Sequence, residues 1–318
     1  MIYIPGGSVK LGPRTLSAVP GWTPPSDPTG ITPGGGSGNN NRAAGGPPVH
    51  RPGGKGVGHV RPGSGMPSAP PNMPGNKAKF TGGIEEKWTA NPGNQQKHLQ
   101  VSVSGFWMDK TEVTRKAYKE FLDETGYRPP FVDENWAADG WNWSGTDYPK
   151  GTGDHPVLMV NWYDAQEYCF WKGKQLPTEA QWQLAALGDV SWENDYPWGK
   201  NYKHNVHNHG KILAPNFDDS DGYLYTSPVG KFPEGKSPYG LLDVFGNAWE
   251  FTADYRRPSW KFYENTDDSS DVYAPGPGLY VAVRGGSYFF DLRPNPGGER
   301  NEFLTEIRRK TSGFRCAR

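Results

Sequence analysis

Oxygen-bearing side chains alternate with large apolar ones along the short segment from Asp243 to Phe251. Asp243, Asn247 and Glu250 supply the oxygens, and valine, phenylalanine, alanine and tryptophan separate them. A carboxylate buried among such side chains must be paired or bound to a cation, and Ca²⁺ takes carboxylate and backbone carbonyl oxygens together. The residues alone leave two interpretations open. One is a buried calcium loop, and the other is a turn in which Gly246 supplies a positive φ and the acids are solvated.

A second oxygen-rich segment precedes it, beside a turn at Gly222. Its oxygen-bearing side chains are Asn216, Asp218, Asp219 and Asp221. The spacing and the missing terminal glutamate exclude the helix-loop-helix type of calcium site, but the donor set suits a calcium loop of another kind.

Three histidines, His204, His207 and His209, lie in the polar stretch before this segment. A metal centre would need a fourth ligand and neighbours that orient the imidazoles. The asparagine and lysine residues around them favour solvent instead. We therefore expect a solvated loop.

The composition predicts a loop-rich domain packed around large rings. The chain has 318 residues, of which 34% are hydrophobic and 14% aromatic, with 43 glycines and 31 prolines. Its 34 basic and 34 acidic residues balance, so no global field recruits nucleic acid or an anionic membrane. No run of about 18 apolar residues is present, so we expect no transmembrane segment.

One long stretch, residues 17–94, differs from the rest of the chain. Between Ile31 and Phe80, 22 of 50 residues are glycine or proline, too many for a segment that builds its own core. The stretch is either a flexible tether or an arm that becomes ordered against a neighbouring subunit. We expect the latter, with residues 1–16 forming the first strand of the domain that residues 95–318 complete.

The elements expected in the main domain position these candidate sites without supplying chemistry. The alternation around His98–Met108 predicts a strand. Thr114 is a favourable N-cap for a helix that ends at Gly126. Asn161 is expected to cap a second helix, and Thr178 a third, in a capping box with Gln181.

The segment between the first two helices, Pro129–Thr152, is long and aromatic, with Trp136, Trp141 and Trp143. Tryptophans in such a loop either stack on a sugar or peptide ligand or cover the core. Both interpretations stay open, and covering the core is the commoner use.

Five segments in fixed order resemble the formylglycine-generating-enzyme, or sulfatase-modifying factor, family. They are Leu176–Trp182, Tyr196–Gly199, Asp243–Phe251, Arg284–Tyr288 and Gly313–Arg318. The resemblance runs from about Phe106 to the end of the chain, with a first piece at residues 1–12. It implies an α+β fold of the C-type-lectin-like kind with little regular secondary structure.

The resemblance also implies two calcium sites. The second family site maps without a gap onto Asp243, Gly246, Ala248 and Glu250, and the first maps onto Asn216, Phe217, Asp221 and Tyr223. Side chains and backbone carbonyls alternate in both sets. Calcium is therefore the expected cofactor.

The two cysteines, Cys169 and Cys316, lie far apart in the sequence. In the cytosol such thiols are most often separate buried residues, whereas the family resemblance implies a disulfide between them. We therefore expect an oxidising location: extracellular, cell-surface or periplasmic. Met1–Gly7 resembles the family's first strand and not a signal peptide, so we expect a signal sequence in a longer precursor.

The resemblance fails at the catalytic positions. Catalytic members oxidise a substrate cysteine with copper held by two cysteines, and those positions are Phe290 and Asn295 in this chain. Neither side chain offers the soft thiolate that Cu(I) prefers. Another branch holds non-haem iron on a separate helical domain, of which this sequence shows no sign. Arg308 and Arg309 are interpreted as surface or salt-bridging residues.

The expected function is therefore that of a non-enzymatic structural or binding subunit outside the cell. We expect it to form a homo-oligomer or polymer through the glycine- and proline-rich stretch, and to take a protein or glycan ligand. Two alternatives remain: a divergent oxidase that uses the old cleft, and a receptor-like domain with a variable C-terminal surface. No nucleic-acid partner is expected.

Overall fold

The architecture is described from a computed structural model, for residues 1–11, 86–89, 98–138, 140–189, 194–210, 218–255, 280–289 and 300–318. The chain divides into two units, residues 1–20 with 82–318 and residues 21–81. All the described residues belong to the first unit.

The strands of this unit form three small sheets. In chain order they are β1 (Ile2–Ile4), β2 (Gly7–Leu11), β3 (Glu86–Thr89), β4 (His98–Val103), β5 (Phe106–Met108), β6 (Trp249–Tyr255), β7 (Tyr280–Arg284), β8 (Arg300–Leu304) and β9 (Ser312–Gly313). The sheets have the orders β1-β5, β2-β4-β3 and β8-β7-β6-β9. All strand pairs are antiparallel except β6 with β9. Strand β3 falls inside the stretch 17–94, whose boundaries stay a prediction.

Four α-helices and two 3₁₀ turns complete the described elements. They are α1 (Arg115–Thr125), α2 (Asn135–Ala138), α3 (Trp162–Trp171), α4 (Glu179–Leu187) and the turns His204–Val206 and Pro233–Gly235. The expected caps are confirmed. The side chains of Thr114, Asn161 and Thr178 each accept a hydrogen bond from the backbone N–H of the third residue of the helix that follows. These starts were predictable because a cap depends on neighbours in sequence.

Two apolar clusters form most of the core. One packs α1 and α3 against β6 and β7 around Tyr118, whose ring lies 5.3 to 6.4 Å from four aromatic rings. The other packs α4 against the N-terminal strands around Trp182. Helix α4 is buried on every side, since all nine of its residues are inaccessible. Its polar side chains are bonded: Gln181 closes the capping box, and Glu179 and Gln183 accept from Arg300 and Arg284.

Strand β5 joins the first and last described residues of the chain. On one side Ile2 pairs with Met108, and on the other Trp107 exchanges two backbone hydrogen bonds of 2.8 Å with Arg318. Both ends of the described chain are therefore stitched to a single three-residue strand.

A disulfide links Cys169 on α3 to Cys316 in the C-terminal segment, across a sequence separation of 147. The chain-entropy model gives about 5 kcal/mol of stabilisation for a loop of this length. The bond implied by the family resemblance is present, and no free thiol remains.

The fold class expected from the sequence is confirmed, since short helices and short strands alternate with long loops. None of the described helices has both the length and the apolar character needed to cross a membrane. Arg308 is salt-bridging as expected: its Nη2 lies 2.7 Å from Oδ2 of the fully buried Asp164.

Candidate functional site

The loop before β6 has a backbone that few sequences could adopt. Asp243, Gly246 and Asn247 all have positive φ, at 57°, 92° and 56°. A side chain at Gly246 would place its Cβ 1.9 Å from the carbonyl oxygen of Asn208, so the close approach requires glycine. Gly246 donates to the carbonyl of Gly285, and Asn247 donates to that of Asn208. The loop is thus fixed between two other segments.

Glu250, a predicted calcium ligand, is held by Arg315. The guanidinium meets both carboxylate oxygens, with Nη2–Oε1 at 2.6 Å and Nε–Oε2 at 2.7 Å. Trp182 Nε1 donates to the same Oε2 at 2.7 Å, and neither charged side chain is exposed. Any cation at Glu250 must therefore share its carboxylate with an arginine.

Asp243 is buried beside this pair and is only lightly bonded. Its Oδ2 accepts from the backbone N–H of Gly230 at 2.6 Å. Burial raises the pKa of Asp243 to about 6, against the lowering effects of the Gly230 bond and the Arg315 charge. Burial therefore destabilises the ionised form of Asp243 at neutral pH.

Glu112 is a third carboxylate in the cluster, and sequence reasoning missed it. Its Oε2 accepts from Asn247 Nδ2 at 3.0 Å and its Oε1 from Ala248 N at 3.2 Å. Burial, then the charges of Asp243 and Glu250, raise the pKa of Glu112 well above its ordinary value. The local sequence does not indicate this role, because the partners of Glu112 lie 135 and 136 positions away.

The cluster as a whole carries more acid than base. Glu112, Asp243 and Glu250 interact electrostatically with one another and with Arg315 as the cation that acts on all three. In the described ranges, no three His, Cys, Asp or Glu side chains form a ready metal-binding group. A cation here would therefore need the carbonyl oxygens of Gly246 and Ala248 as well as carboxylates, a donor set that suits Ca²⁺.

The second predicted site is described only in part. Asn216 and Phe217 lie outside the described residues. Asp221 accepts hydrogen bonds from Asn208 Nδ2 at 2.8 Å, His209 N at 2.9 Å and Tyr223 N at 2.8 Å. Asp221 and Tyr223 thus lie in one turn, and their role as calcium ligands stays a prediction.

Asn208 links the two candidate loops, and sequence reasoning missed it. Its side chain bonds Asp221 in one loop, and its carbonyl accepts from Asn247 in the other. Its Oδ1 is buried and has no hydrogen-bond partner within the part of the chain that the structure describes. A buried amide oxygen without a donor is costly and is available to a cation.

Comparison with known proteins decides the family. The sequence profile of the sulfatase-modifying factor enzyme 1-like domain matches residues 74–318. The chain belongs to this family. It is 30% identical over 299 residues to formylglycine-generating enzyme of Bos taurus, covering 80% of this chain and 78% of that protein.

Two further comparisons place the chain among sulfatase-modifying factor domains. It is 32% identical over 213 residues to Inactive C-alpha-formylglycine-generating enzyme 2 of Bos taurus, covering 56% of this chain and 70% of that protein. Its fold is similar to that of PvdO from Pseudomonas aeruginosa, with a TM-score of 0.55 and 24% identity, covering 74% of this chain and 91% of that one.

Against the family pattern, Phe290 and Asn295 stand at the copper-ligand positions, and both lie outside the described residues. The described residues just before them, Tyr288 and Phe289, belong to an aromatic group with Trp141 and Tyr225. Trp141 stacks on Tyr288 at a centroid distance of 6.3 Å, and Tyr225 lies edge-on to Trp141 at 5.1 Å. We call these four residues the aromatic cluster.

The tryptophans of the long loop differ in burial, and ligand stacking by any of them stays a prediction. Trp143 is buried against Tyr118 in the core. Trp136 is 39% exposed, and Trp141 is half-buried in the aromatic cluster. Only Trp143 is therefore purely a lid on the core.

The expected solvated histidine loop is wrong for two of its three histidines. His207 and His209 are each 3% exposed, while His204 is exposed. His207 stacks on Trp198 and meets Phe245 edge-on, and both of its ring nitrogens are buried. Tertiary packing against Phe245, which lies far along the chain, overrides the local polarity.

This burial predicts acid sensitivity through His207. Burial and the nearby imidazoles of His209 and His204 lower the pKa of His207 to about 3. Because the unfolded state takes up the proton first, this residue's contribution to stability is present above about pH 6.5 and is lost towards pH 3. At pH 5 we expect a loss of about 2 kcal/mol from this residue.

His207→Phe should remove that loss while keeping the ring contacts. Urea unfolding at pH 7.5 and pH 5 measures it, and His204→Asn, at the exposed ring, should keep most of the wild-type pH dependence. Equal pH dependence in wild type and His207→Phe would contradict the assignment.

Proposed function

We propose that this chain is a non-catalytic member of the formylglycine-generating-enzyme family that acts as a calcium-stabilised binding subunit outside the cell. One observation carries the proposal. The chain has two cysteines, and both are consumed in the disulfide between Cys169 and Cys316. No thiolate remains for Cu(I), and Phe290 and Asn295 occupy the positions where the catalytic members place theirs.

Two further observations support the proposal. A bovine relative with 32% identity is named an inactive formylglycine-generating enzyme, so this fold is found without the activity in another protein. A disulfide of this kind persists in an oxidising compartment, which favours a location outside the cytosol. The aromatic cluster beside the lost copper positions supplies a surface that can bind without reacting.

The chain is expected to lack copper-dependent conversion of cysteine to formylglycine. Cu(I) has no adequate ligand set here, so a cysteine-containing peptide should be recovered unchanged after incubation with copper, oxygen and reductant. Mass spectrometry of the peptide is the measurement, with bovine formylglycine-generating enzyme as the positive control. Turnover above the copper-only background would refute the proposal.

Calcium is proposed from the charge of the buried cluster. Glu112, Asp243 and Glu250 face a single guanidinium, and ionised carboxylates in a dry interior need compensation. A divalent cation between Asp243, Glu250 and the carbonyls of Gly246 and Ala248 would supply it. The orphaned Oδ1 of Asn208 beside Asp221 supports a second calcium ion at the neighbouring loop, with Asn208 as an additional oxygen donor.

Asp243→Asn separates the calcium contribution from packing better than a change at Glu250, which would also strip Arg315 of its partner. Asparagine keeps the size and tolerates the positive φ at this position. In calcium at about 100 times its dissociation constant, the wild type should gain about 2.7 kcal/mol that the variant loses.

In chelator the order should reverse. At pH 7 the ionised Asp243, whose pKa is raised to about 6, costs the metal-free protein about 2–3 kcal/mol, and this cost disappears as the pH falls from 6 towards 4. Thermal melting of both proteins with and without chelator is the measurement, and Asp133→Asn at an exposed acid is the control. Identical calcium responses in wild type and Asp243→Asn would rule the site out.

Self-assembly is proposed from composition. Residues 17–94 are too rich in glycine and proline to offset their own ordering entropy of about 1–2 kcal/mol per residue, so a partner must order them. A second copy of the chain is the partner we propose.

Deleting residues 28–74 should leave a folded, calcium-responsive monomer, while the intact chain sediments as a larger species. Sedimentation velocity of both proteins over a range of concentrations tests this. Assembly that persists in the deletion protein, or an intact chain that stays monomeric, would reduce the stretch to a tether.

A further inference from the structure

Arg115 is a buried cation without an acidic partner. It is 5% exposed, and its hydrogen bonds run to neutral acceptors: Nη1 to Thr152 Oγ1 at 2.6 Å and Nε to the Pro156 carbonyl at 3.4 Å. No carboxylate of the described residues pairs with it or acts on it electrostatically. Burial lowers its pKa to about 10. The other buried arginines of the described residues, Arg284 and Arg315, pair with Glu179 and Glu250.

Such a charge is unusual, because a buried cation is normally compensated by an acid. The neutral bonds of Arg115 tie helix α1 to the loop that ends at Pro156, which is one reason to have a side chain here. Both acceptors are neutral, so these bonds use the guanidinium as a donor and do not compensate its charge. The charge itself is therefore unexplained by the fold.

The aromatic cluster leads from this guanidinium to the surface. The backbone N–H of Arg115 donates to the carbonyl of His155 at 2.9 Å, and His155 Nδ1 lies 3.1 Å from Oγ1 of Thr226, the residue after Tyr225. Tyr288 stacks on Trp141, and Tyr225 lies edge-on to Tyr288 at 5.8 Å. Tyr225 is 46% exposed and the adjacent Leu224 is 43% exposed. Buried cation and exposed rim thus belong to one continuous group.

A second cation without an acidic partner stands over the same rings. Lys310 Nζ lies 5.7 Å from the ring centre of Trp141 and 5.8 Å from that of Phe289. No ion pair of Lys310 is found among the described residues. His155 lies near Arg115 and bonds Thr226 through Nδ1 at 3.1 Å. Of the described acids, the exposed Asp154 acts on His155.

We propose that Arg115, Lys310 and the aromatic cluster bind a carboxylate side chain of an acidic peptide segment, with Leu224 and Tyr225 receiving a neighbouring apolar residue. A guanidinium matches a carboxylate with two parallel hydrogen bonds, and the low dielectric of the site strengthens them. The inference rests on the proposed function, since it makes the cleft of a non-catalytic member a recognition site.

A peptide fits this chemistry better than an acidic sugar. Sugar hydroxyls need free polar side chains, whereas the two threonine hydroxyls here are engaged: Thr152 donates to Pro149, and Thr226 bonds His155. The exposed rim is formed by a leucine and a tyrosine, which suit an apolar peptide side chain. An acidic sugar is accordingly a contrary outcome of the test.

The test uses the full chain and two matched peptides, acetyl-Leu-Glu-Leu-amide and acetyl-Leu-Gln-Leu-amide, titrated by calorimetry at low salt. The wild type should bind the glutamate peptide about tenfold more tightly than the glutamine peptide. Arg115→Gln should abolish that preference and Lys310→Gln should reduce it. Lys116→Gln, at an exposed cation one residue along α1, should leave it unchanged.

Thermal melting without peptide separates binding from a structural role. If Arg115 is kept for a ligand, Arg115→Gln should melt at or above the wild-type temperature, because it relieves an uncompensated charge. Should Arg115→Gln fail to fold, Arg115→Lys keeps the charge, loses the fork, and should weaken the glutamate peptide selectively.

Three results would overturn the proposal: no preference for the glutamate peptide, an unchanged preference in the folded Arg115 variant, or stronger binding of a glucuronate disaccharide. These binding experiments do not measure formylglycine formation. Their failure would therefore leave the non-catalytic assignment standing, because that assignment is tested by the incubation with copper.

Discussion

The bidentate ion pair between Glu250 and Arg315 holds this domain together, with both side chains fully out of solvent. It joins the start of β6 to the C-terminal segment. The remaining N–H groups of Arg315 bond the carbonyls of Asp109, Lys110 and Leu242, so one guanidinium also satisfies three carbonyls in two loop segments. Breaking such a pair by removing one partner typically costs about 3–5 kcal/mol, because the other charge stays buried.

The pair of Glu250 and Arg315 has no net charge. Glu112 and Asp243 add two more carboxylates to the same interior, so the cluster as a whole is acidic. The raised pKa values of Glu112 and Asp243 show that burial disfavours their ionised forms. The strained backbone of Asp243 and Asn247 keeps the acids in place in spite of it. Strained backbone of this kind is found mainly at ligand-binding and catalytic sites.

Sequence reasoning succeeded where the interaction is local and failed where it is long-range. The caps at Thr114, Asn161 and Thr178 depend on residues three positions away and were predictable. Glu112 and Asn208 depend on partners more than ten positions away, and nothing in their neighbourhood announces burial. The same holds for His207, whose polar neighbours suggested solvent although aromatic rings enclose it. Family resemblance supplied the disulfide, since spacing alone cannot pair two distant cysteines.

The stitching of both described chain ends to β5 has a consequence for synthesis. A ribosome delivers β1, β5 and the carboxylate of Glu250 long before Arg315, Cys316 and the pairing edge at Arg318. Until those few residues emerge, Glu250 has no countercharge, Cys169 has no partner and one side of β5 is open. The domain therefore cannot mature vectorially from its N-terminus. The nascent chain must avoid wrong contacts until the C-terminal segment has been synthesised. The ion pair of Glu250 with Arg315 and the disulfide of Cys169 with Cys316 can form only after that.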